Sequence, residues 1–139
     1  MADSKNTAPV DYRPVDGFPG YRVGSDGTVW SCKNGRRGYL DTWRPLNLNI
    51  TVRGGYREVT LSRHSPAVVR RIKVHRLVLE VFVGPQPNGC EGCHNNSDRS
   101  DNRLVNLRWD TRKGNVADAV RAGTIGRRRL AVIEAAIRA

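Results

Sequence analysis

The chain has 139 residues, and 24 Lys and Arg against 13 Asp and Glu give it a net charge of +11. This length allows one compact domain or two very small ones, and the 38% of hydrophobic residues, three Trp among them, are enough to build a core. These values exclude a disordered polyelectrolyte, and since no apolar run approaches the roughly 20 residues of a membrane span, no membrane partner is expected. The positive charge favours a polyanionic partner, most simply nucleic acid.

The first nine residues are polar and lack the apolar stretch of a secretion signal. Cys32, Cys90 and Cys93 are an odd number and do not form a disulfide framework spread along the chain. We therefore expect no signal peptide and a cytoplasmic protein with reduced thiols.

Residues 10–63 are rich in Gly, Pro and short apolar/polar alternations, which predicts a small β-rich module. A tight-turn dipeptide, Asp26-Gly27, lies between apolar residues and predicts a β-hairpin. The alternation in 56–61, after a Gly-Gly pair, predicts a further strand.

The hydrophobic period then changes to that of a helix over residues 70–83. The apolar side chains recur at helical spacing and form one stripe, namely Val74, Leu77, Val78, Val81 and Phe82. Gly84-Pro85 is expected to end this helix.

Residues 86–103 are rich in Gly, Asn and Asp and predict a loop, followed by a strand-like run over 104–109. Thr111 is placed to cap a helix from 112 to about 122. A basic break and an Ala-rich helix follow. The chain is thus predicted to divide into 10–63, a second unit at 70–122 and a basic helical tail at 123–139.

Three polar residues in the second unit have the chemistry of a hydrolytic site. His94 lies in the polar loop and can accept a proton from water near neutral pH. Asn106 can hold that imidazole in one orientation, and Asn115 lies one turn into the following helix and can face a metal. The spacing alone leaves another interpretation open, because Asn, Asp and Gly are also the ordinary residues of turns.

The order of these motifs resembles the HNH endonuclease family, in its phage and intron-encoded homing branch. The resemblance covers roughly residues 12–118, which is most of the chain. It is carried by Val74-His75-Arg76-Leu77-Val78, Cys93-His94-Asn95-Asn96, Asn106-Leu107-Arg108-Trp109-Asp110-Thr111 and Asn115, and upstream by Gly17–Val23 with Gly27–Ser31, which are similar to the NUMOD4 module. The resemblance implies an α+β fold, with a ββα-metal (His-Me) finger behind a β-rich module, that cuts DNA with one divalent cation.

By position, the resemblance implies that His94 is the general base, that Asn106 supports the site and orients the base, and that Asn115 binds the metal. Many relatives have Asp, a hard oxygen ligand, where this chain has Cys93. Mg²⁺ is the expected ion, with Mn²⁺, Ni²⁺ or Zn²⁺ as alternatives because a thiolate suits softer metals. Cys93 is accordingly either a metal ligand or a bystander.

Two further motifs have structural rather than catalytic interpretations. Cys90-x-x-Cys93 is half of a structural zinc site, which needs about four ligands. His75 opens the apolar helix, where a packing or backbone role is favoured over catalysis.

Seven basic residues are candidate DNA contacts, since cationic side chains bind the phosphate backbone without recognising the base sequence. They are Arg70, Arg71, Lys73, Arg108, Arg127, Arg128 and Arg129. The predicted function is metal-dependent cleavage of double-stranded DNA by a monomer in a bacterial or phage-infected cell. The main alternative is a DNA-binding protein on the same scaffold with weak or lost catalysis.

Overall fold

The computed structural model describes residues 9–121. The predicted C-terminal helix and three of the candidate DNA contacts, Arg127, Arg128 and Arg129, lie outside the described residues. Within them the fold is a mixture of small antiparallel sheets and two helices.

The first sheet has four antiparallel strands in chain order: β1 (Tyr12–Pro14), β2 (Tyr21–Gly24), β3 (Val29–Lys33) and β4 (Tyr39–Pro45). The β2–β3 hairpin predicted at Asp26-Gly27 is confirmed. Gly27 has φ = 86°, which glycine adopts without steric cost, and the Gly24 N–H donates to the Thr28 carbonyl across the turn at 2.8 Å.

The second sheet contains β5 (Asn49–Ile50), β6 (Arg57–His64) and β7 (Ala67–Lys73), and helix α1 (Val74–Phe82) follows at once. The helix was predicted to begin at residue 70, which is wrong, because residues 67–73 pair with β6 from His64↔Ala67 to Glu58↔Lys73. The proposed boundary between 63 and 70 therefore falls inside a paired hairpin.

The remaining elements form a ββα unit: β8 (Cys90–His94), β9 (Leu107–Thr111) and α2 (Arg112–Arg121). Strand β8 was predicted to be loop, because Cys-Glu-Gly-Cys has no apolar alternation, but it pairs with the whole of β9. The predicted cap is confirmed, since Thr111 Oγ1 accepts the Gly114 N–H at 3.3 Å.

Helix α1 lies at the centre of one hydrophobic core that all three parts share. Its buried side chains are joined by residues of both sheets and of β9; the fully or nearly fully buried members include Val23, Val29, Leu61, Ile72, Val74, Leu77, Val78, Leu79 and Leu107. Each large side chain removed from water contributes about 1.5–3 kcal/mol, so this core holds the ββα unit against both sheets. Among residues 9–121, neither helix has the length and apolar character needed to cross a membrane.

Candidate active site

His94 is the last residue of β8 and lies opposite Leu107 of β9. It is only 8% exposed, and its Nε2 is 2.8 Å from Oδ1 of Asn102. Because an amide oxygen only accepts hydrogen bonds, Nε2 carries the ring proton and Nδ1 keeps a lone pair. Burial lowers the pKa of His94, against the opposing effects of Asn102 and two nearby carboxylates, so the ring is neutral at pH 7 and suited to accept a proton.

Two rings form the wall beside His94. The His75 ring centroid lies 4.8 Å from that of His94, and Tyr56 stacks on His75 at 5.2 Å. Burial, together with the charges of His94, Lys73 and Arg76, lowers the pKa of His75 to about 3, and a hydrogen bond with the Gly92 backbone acts weakly in the other direction. His75 is therefore a neutral packed ring, as its sequence context predicted.

Asn106 supports the loop rather than the imidazole. Its side-chain Nδ2 donates to Asn96 Oδ1 at 2.9 Å and to the Asp101 carbonyl at 2.8 Å, and its Oδ1 accepts the Asn96 N–H at 3.1 Å. Asn106 was expected to orient His94, but its hydrogen bonds instead fold the loop that carries Asn102. The side chain that contacts the His94 imidazole is Asn102.

Asn102 was missed by the sequence analysis. It lies in a run of turn-forming residues, and neither its type nor its distance from His94 separates it from its neighbours. The signal that matters is three-dimensional: Asn102 is 6% exposed, and a buried amide needs a partner.

Asn115 lies on α2 as expected, and its Nδ2 donates to Oε1 of Glu91 at 2.6 Å. Glu91 on β8 was also missed. The pair faces a polar cleft of about 240 Å³. The cleft is lined by Tyr56, Lys73, His75, Arg76, Gln86, Glu91, Gly92 and Asn115. Because Tyr56 and His75 are among these lining residues, the cleft adjoins the ring wall that contacts His94.

Cys93 is 2% exposed, and its Sγ is 3.5 Å from the Glu91 carbonyl oxygen, to which the thiol donates. Burial raises the pKa of Cys93 to about 11, although Arg108 acts in the opposite direction. With no metal bound, the thiol is protonated at neutral pH. Cys93 does not line the cleft that Glu91 and Asn115 face, which favours the bystander interpretation over the ligand one.

The structural zinc alternative is not favoured either. Within residues 9–121 no three His, Cys, Asp or Glu side chains converge on a common point. Cys32, Cys90 and Cys93 are free thiols. A closed zinc site needs about four ligands, and this part of the chain does not assemble them.

The candidate DNA contacts differ in their surroundings. Arg70 pairs with Glu80 at 2.8 Å, the exposed Arg71 pairs with Glu58 at 3.3 Å, and Arg108 pairs with Asp110 at 3.0 Å. Lys73 instead lies beside the cleft with its Nζ 4.5 Å from the centre of the Tyr56 ring.

Arg99, which the sequence analysis did not single out, places its guanidinium carbon 4.7 Å from the centre of the same Tyr56 ring. Its side chain also donates to the Gly54 carbonyl. Lys73 and Arg99 therefore both contact the Tyr56 ring of the wall beside His94. A phosphate bound next to the His94 imidazole would lie near these two positive charges.

Comparison with known proteins identifies the class to which this site corresponds. Residues 73–117, which span α1, the β8–β9 hairpin and the first half of α2, match the model of the HNH endonuclease family. The match supports the predicted resemblance over this segment, and His94 and Asn115 both lie within it. The NUMOD4-like resemblance of residues 10–63 stays a prediction.

Two curated proteins are similar over most of the chain. The DNA endonuclease I-HmuI of Bacillus phage SP01 is 28% identical over 117 residues, which are 84% of this chain and 61% of that protein. The HNH endonuclease L247 of Acanthamoeba polyphaga mimivirus, itself uncharacterised, is 35% identical over 123 residues, 87% of this chain and 28% of that one.

The fold is similar to a solved structure as well. The HNH homing endonuclease I-HmuI, in a structure that describes DNA binding and cleavage, superimposes with a TM-score of 0.68 at 26% identity, covering 88% of this chain and 65% of that one. The chain thus spans less than two thirds of the length of each of these relatives.

Proposed function

We propose that this protein is a metal-dependent DNA endonuclease in which His94 is the general base that activates water. The observation that carries the proposal is the neutral His94 ring, fixed by Asn102 at 2.8 Å, inside the segment that matches the HNH endonuclease family. A general base must be unprotonated at the working pH and held in one orientation, and His94 meets both requirements.

Proton abstraction is assigned to Nδ1 of His94. Since Nε2 donates to Asn102, only Nδ1 has a free lone pair, and transfer of a proton from water to Nδ1 gives an imidazolium. The Asn102 oxygen accepts from the ring before and after that transfer. Asn102 therefore keeps the ring in place through the step without taking up a proton.

The residues beside the cleft fit a hard divalent cation. Glu91 offers carboxylate oxygens and Asn115 an amide oxygen, and both line the cleft, whereas the buried Cys93 does not. We assign Glu91 and Asn115 as the side chains that hold the ion, with Mg²⁺ preferred over softer metals. A bound cation would supply neutralisation of charge on the scissile phosphate and the leaving oxygen.

Double-stranded DNA is the proposed substrate. The net charge of +11 and the two cations near the wall, Lys73 and Arg99, support a polyanionic ligand. The I-HmuI relatives are named for DNA binding and cleavage, which supports the same substrate class. A single ββα unit offers one site, so we propose a monomer that nicks one strand.

The test is conversion of supercoiled plasmid to the open circle in Mg²⁺, Mn²⁺, Ni²⁺ and Zn²⁺, with a chelator as control and DNA binding measured in parallel. Nicking that requires a divalent ion, with Mg²⁺ effective, supports the proposal. Binding without cleavage in every ion would contradict it and favour a DNA-binding scaffold with lost catalysis, the alternative suggested by the buried thiol at Cys93.

A further inference from the structure

We propose that the β2–β3 turn of the first sheet, residues 25–28, is a positioning element for the general base and acts through Asn102. This inference rests on the proposed function only for its effect on rate. Its structural part concerns the His94–Asn102 hydrogen bond and holds independently of catalysis. It gives the N-terminal sheet a role in the active site, beside that of Asn106 in folding the same loop.

The turn touches the loop that carries Asn102 at two points. The Ser25 carbonyl accepts the Leu104 N–H at 2.9 Å, a backbone bond between residues far apart in the chain. Gly27 lies so close that a Cβ added to it would meet the backbone C and O of Asn102 at 2.7 Å and the Asn102 Cβ at 2.9 Å. Real Cβ atoms essentially never approach backbone atoms this closely, so the fit depends on glycine at position 27.

The turn is itself held firmly. The Ser25 N–H donates to the Asp11 carbonyl at 2.8 Å, and the Asp11 N–H donates back to Ser25 Oγ at 2.9 Å. The Gly27 N–H donates to the Gly24 carbonyl at 2.9 Å. The turn is thus hydrogen-bonded on one side to Asp11, the residue before β1, and contacts the loop with its other side.

The contact matters because Asn102 has little freedom. It is 6% exposed, and its Oδ1 lies 2.8 Å from His94 Nε2, toward the short end of the range for an N–H···O hydrogen bond. A displacement of its backbone by several tenths of an ångström lengthens or bends that hydrogen bond, or forces His94 to turn. A misplacement of about 1 Å at a catalytic group costs on the order of 100-fold in rate, so a smaller shift is still measurable.

The test compares Gly27→Ala with Gly38→Ala. Gly38 also has positive φ, at 104°, but an added Cβ there meets nothing within 4 Å, so this variant has the backbone strain without the contact. Gly27→Asn is made as well, because Asn tolerates positive φ better than Ala and keeps the variant folded while still adding the Cβ.

Two quantities are measured on the full chain: the tautomer of His94 from imidazole ¹⁵N NMR shifts, assigned with His94→Gln, and the single-turnover nicking rate. For Gly27→Ala and Gly27→Asn we expect loss of the pure Nε2–H tautomer and a rate about tenfold lower with unchanged DNA affinity. Gly38→Ala should leave both unchanged. In an Asn102→Ala background the Gly27 variants should reduce the rate less than about twofold further, since both changes act on one contact.

A folded Gly27 variant with the wild-type tautomer overturns the proposal, as does a full, additive rate loss in the Asn102→Ala background. If the wild-type protein cuts no DNA, the proposed function fails, and the tautomer still decides whether the turn positions His94.

Discussion

The imidazole of His75 stacks on the phenol ring of Tyr56, with centroids 5.2 Å apart and planes inclined by 28°. The pair joins the start of α1 to the segment just before β6 and forms the wall beside His94. His75 is 4% exposed and its Nδ1 has no hydrogen-bond partner among the described residues, so the ring is held mainly by packing, with one hydrogen bond to the Gly92 backbone. That single bond offsets only part of the cost of burying a proton on this ring.

Acid should therefore destabilise the fold through His75. Its pKa is about 3 in the folded protein against 6.5 for an ordinary His, so the unfolded chain binds the proton more readily. The contribution of the neutral His75 ring to the free energy of unfolding is complete above about pH 6.5 and is lost as the pH falls toward about 3. The free energy of unfolding in urea, measured between these limits, should fall less in His75→Gln than in the wild type.

Exposed His64 provides the control, and His64→Gln should retain the wild-type acid sensitivity. If acid lowers the free energy of unfolding of His75→Gln as much as that of the wild type, the buried His75 ring is not the cause of the acid sensitivity.

Replacing Asn102 should slow cleavage without weakening binding. Asn102→Ala removes the acceptor at 2.8 Å from Nε2 of His94, so the ring is free to turn and to exchange tautomers. We expect a single-turnover rate lower by at least about tenfold, a loss within the range of positioned acid–base groups, and an unchanged Kd for DNA. Asn88→Ala, at an exposed loop position, is the matched control. A rate equal to that of the control would remove Asn102 from the site.

The acidic metal ligand should be Glu91 and not Cys93. Glu91→Gln keeps a partner for Asn115 but removes the charge, so we expect Mn²⁺ affinity, measured by electron paramagnetic resonance, to fall by about tenfold or more. Cys93→Ser should bind Mn²⁺ like the wild type, because the Cys93 side chain is buried and does not line the cleft. Weakened Mn²⁺ binding in Cys93→Ser with normal binding in Glu91→Gln would reverse the assignment.

Arg99 should contact a phosphate. Arg99→Gln should lower DNA affinity and reduce the slope of log Kd against log salt by about 1, the change expected for one lost phosphate contact. Arg13→Gln, at a guanidinium that already pairs with Asp11 at 3.2 Å, should leave the slope unchanged. Identical slopes for the two variants would place Arg99 away from the DNA.

The features that the sequence predicted correctly are those that depend on neighbouring residues. Asp26-Gly27 predicted a turn and Thr111 a cap, because each acts on backbone a few residues away. The apolar stripe predicted α1 except for its start. Strand pairing with β6 overrides helical periodicity over residues 70–73, and no local pattern reports it.

The candidate active site was likewise predicted only in part, because local sequence patterns do not report contacts between distant residues. His94 and Asn115 were identified from chemistry and resemblance, and both lie in the segment that matches the HNH endonuclease model, while their roles stay predictions. Asn102 and Glu91 were missed because their importance comes from a distance across a folded loop and from a helix that approaches β8. The sequence left Cys93 open as a metal ligand or a bystander, because its burial, which favours the bystander interpretation, is a property of the fold.

The most direct test of the account is single-turnover nicking of supercoiled plasmid in Mg²⁺ by the wild type and His94→Gln, with DNA affinity measured for both. We predict that His94→Gln binds DNA like the wild type and nicks it slower by about 100-fold or more, the contribution of a positioned general base. Nicking by His94→Gln at the wild-type rate would contradict the assignment of His94 as the base.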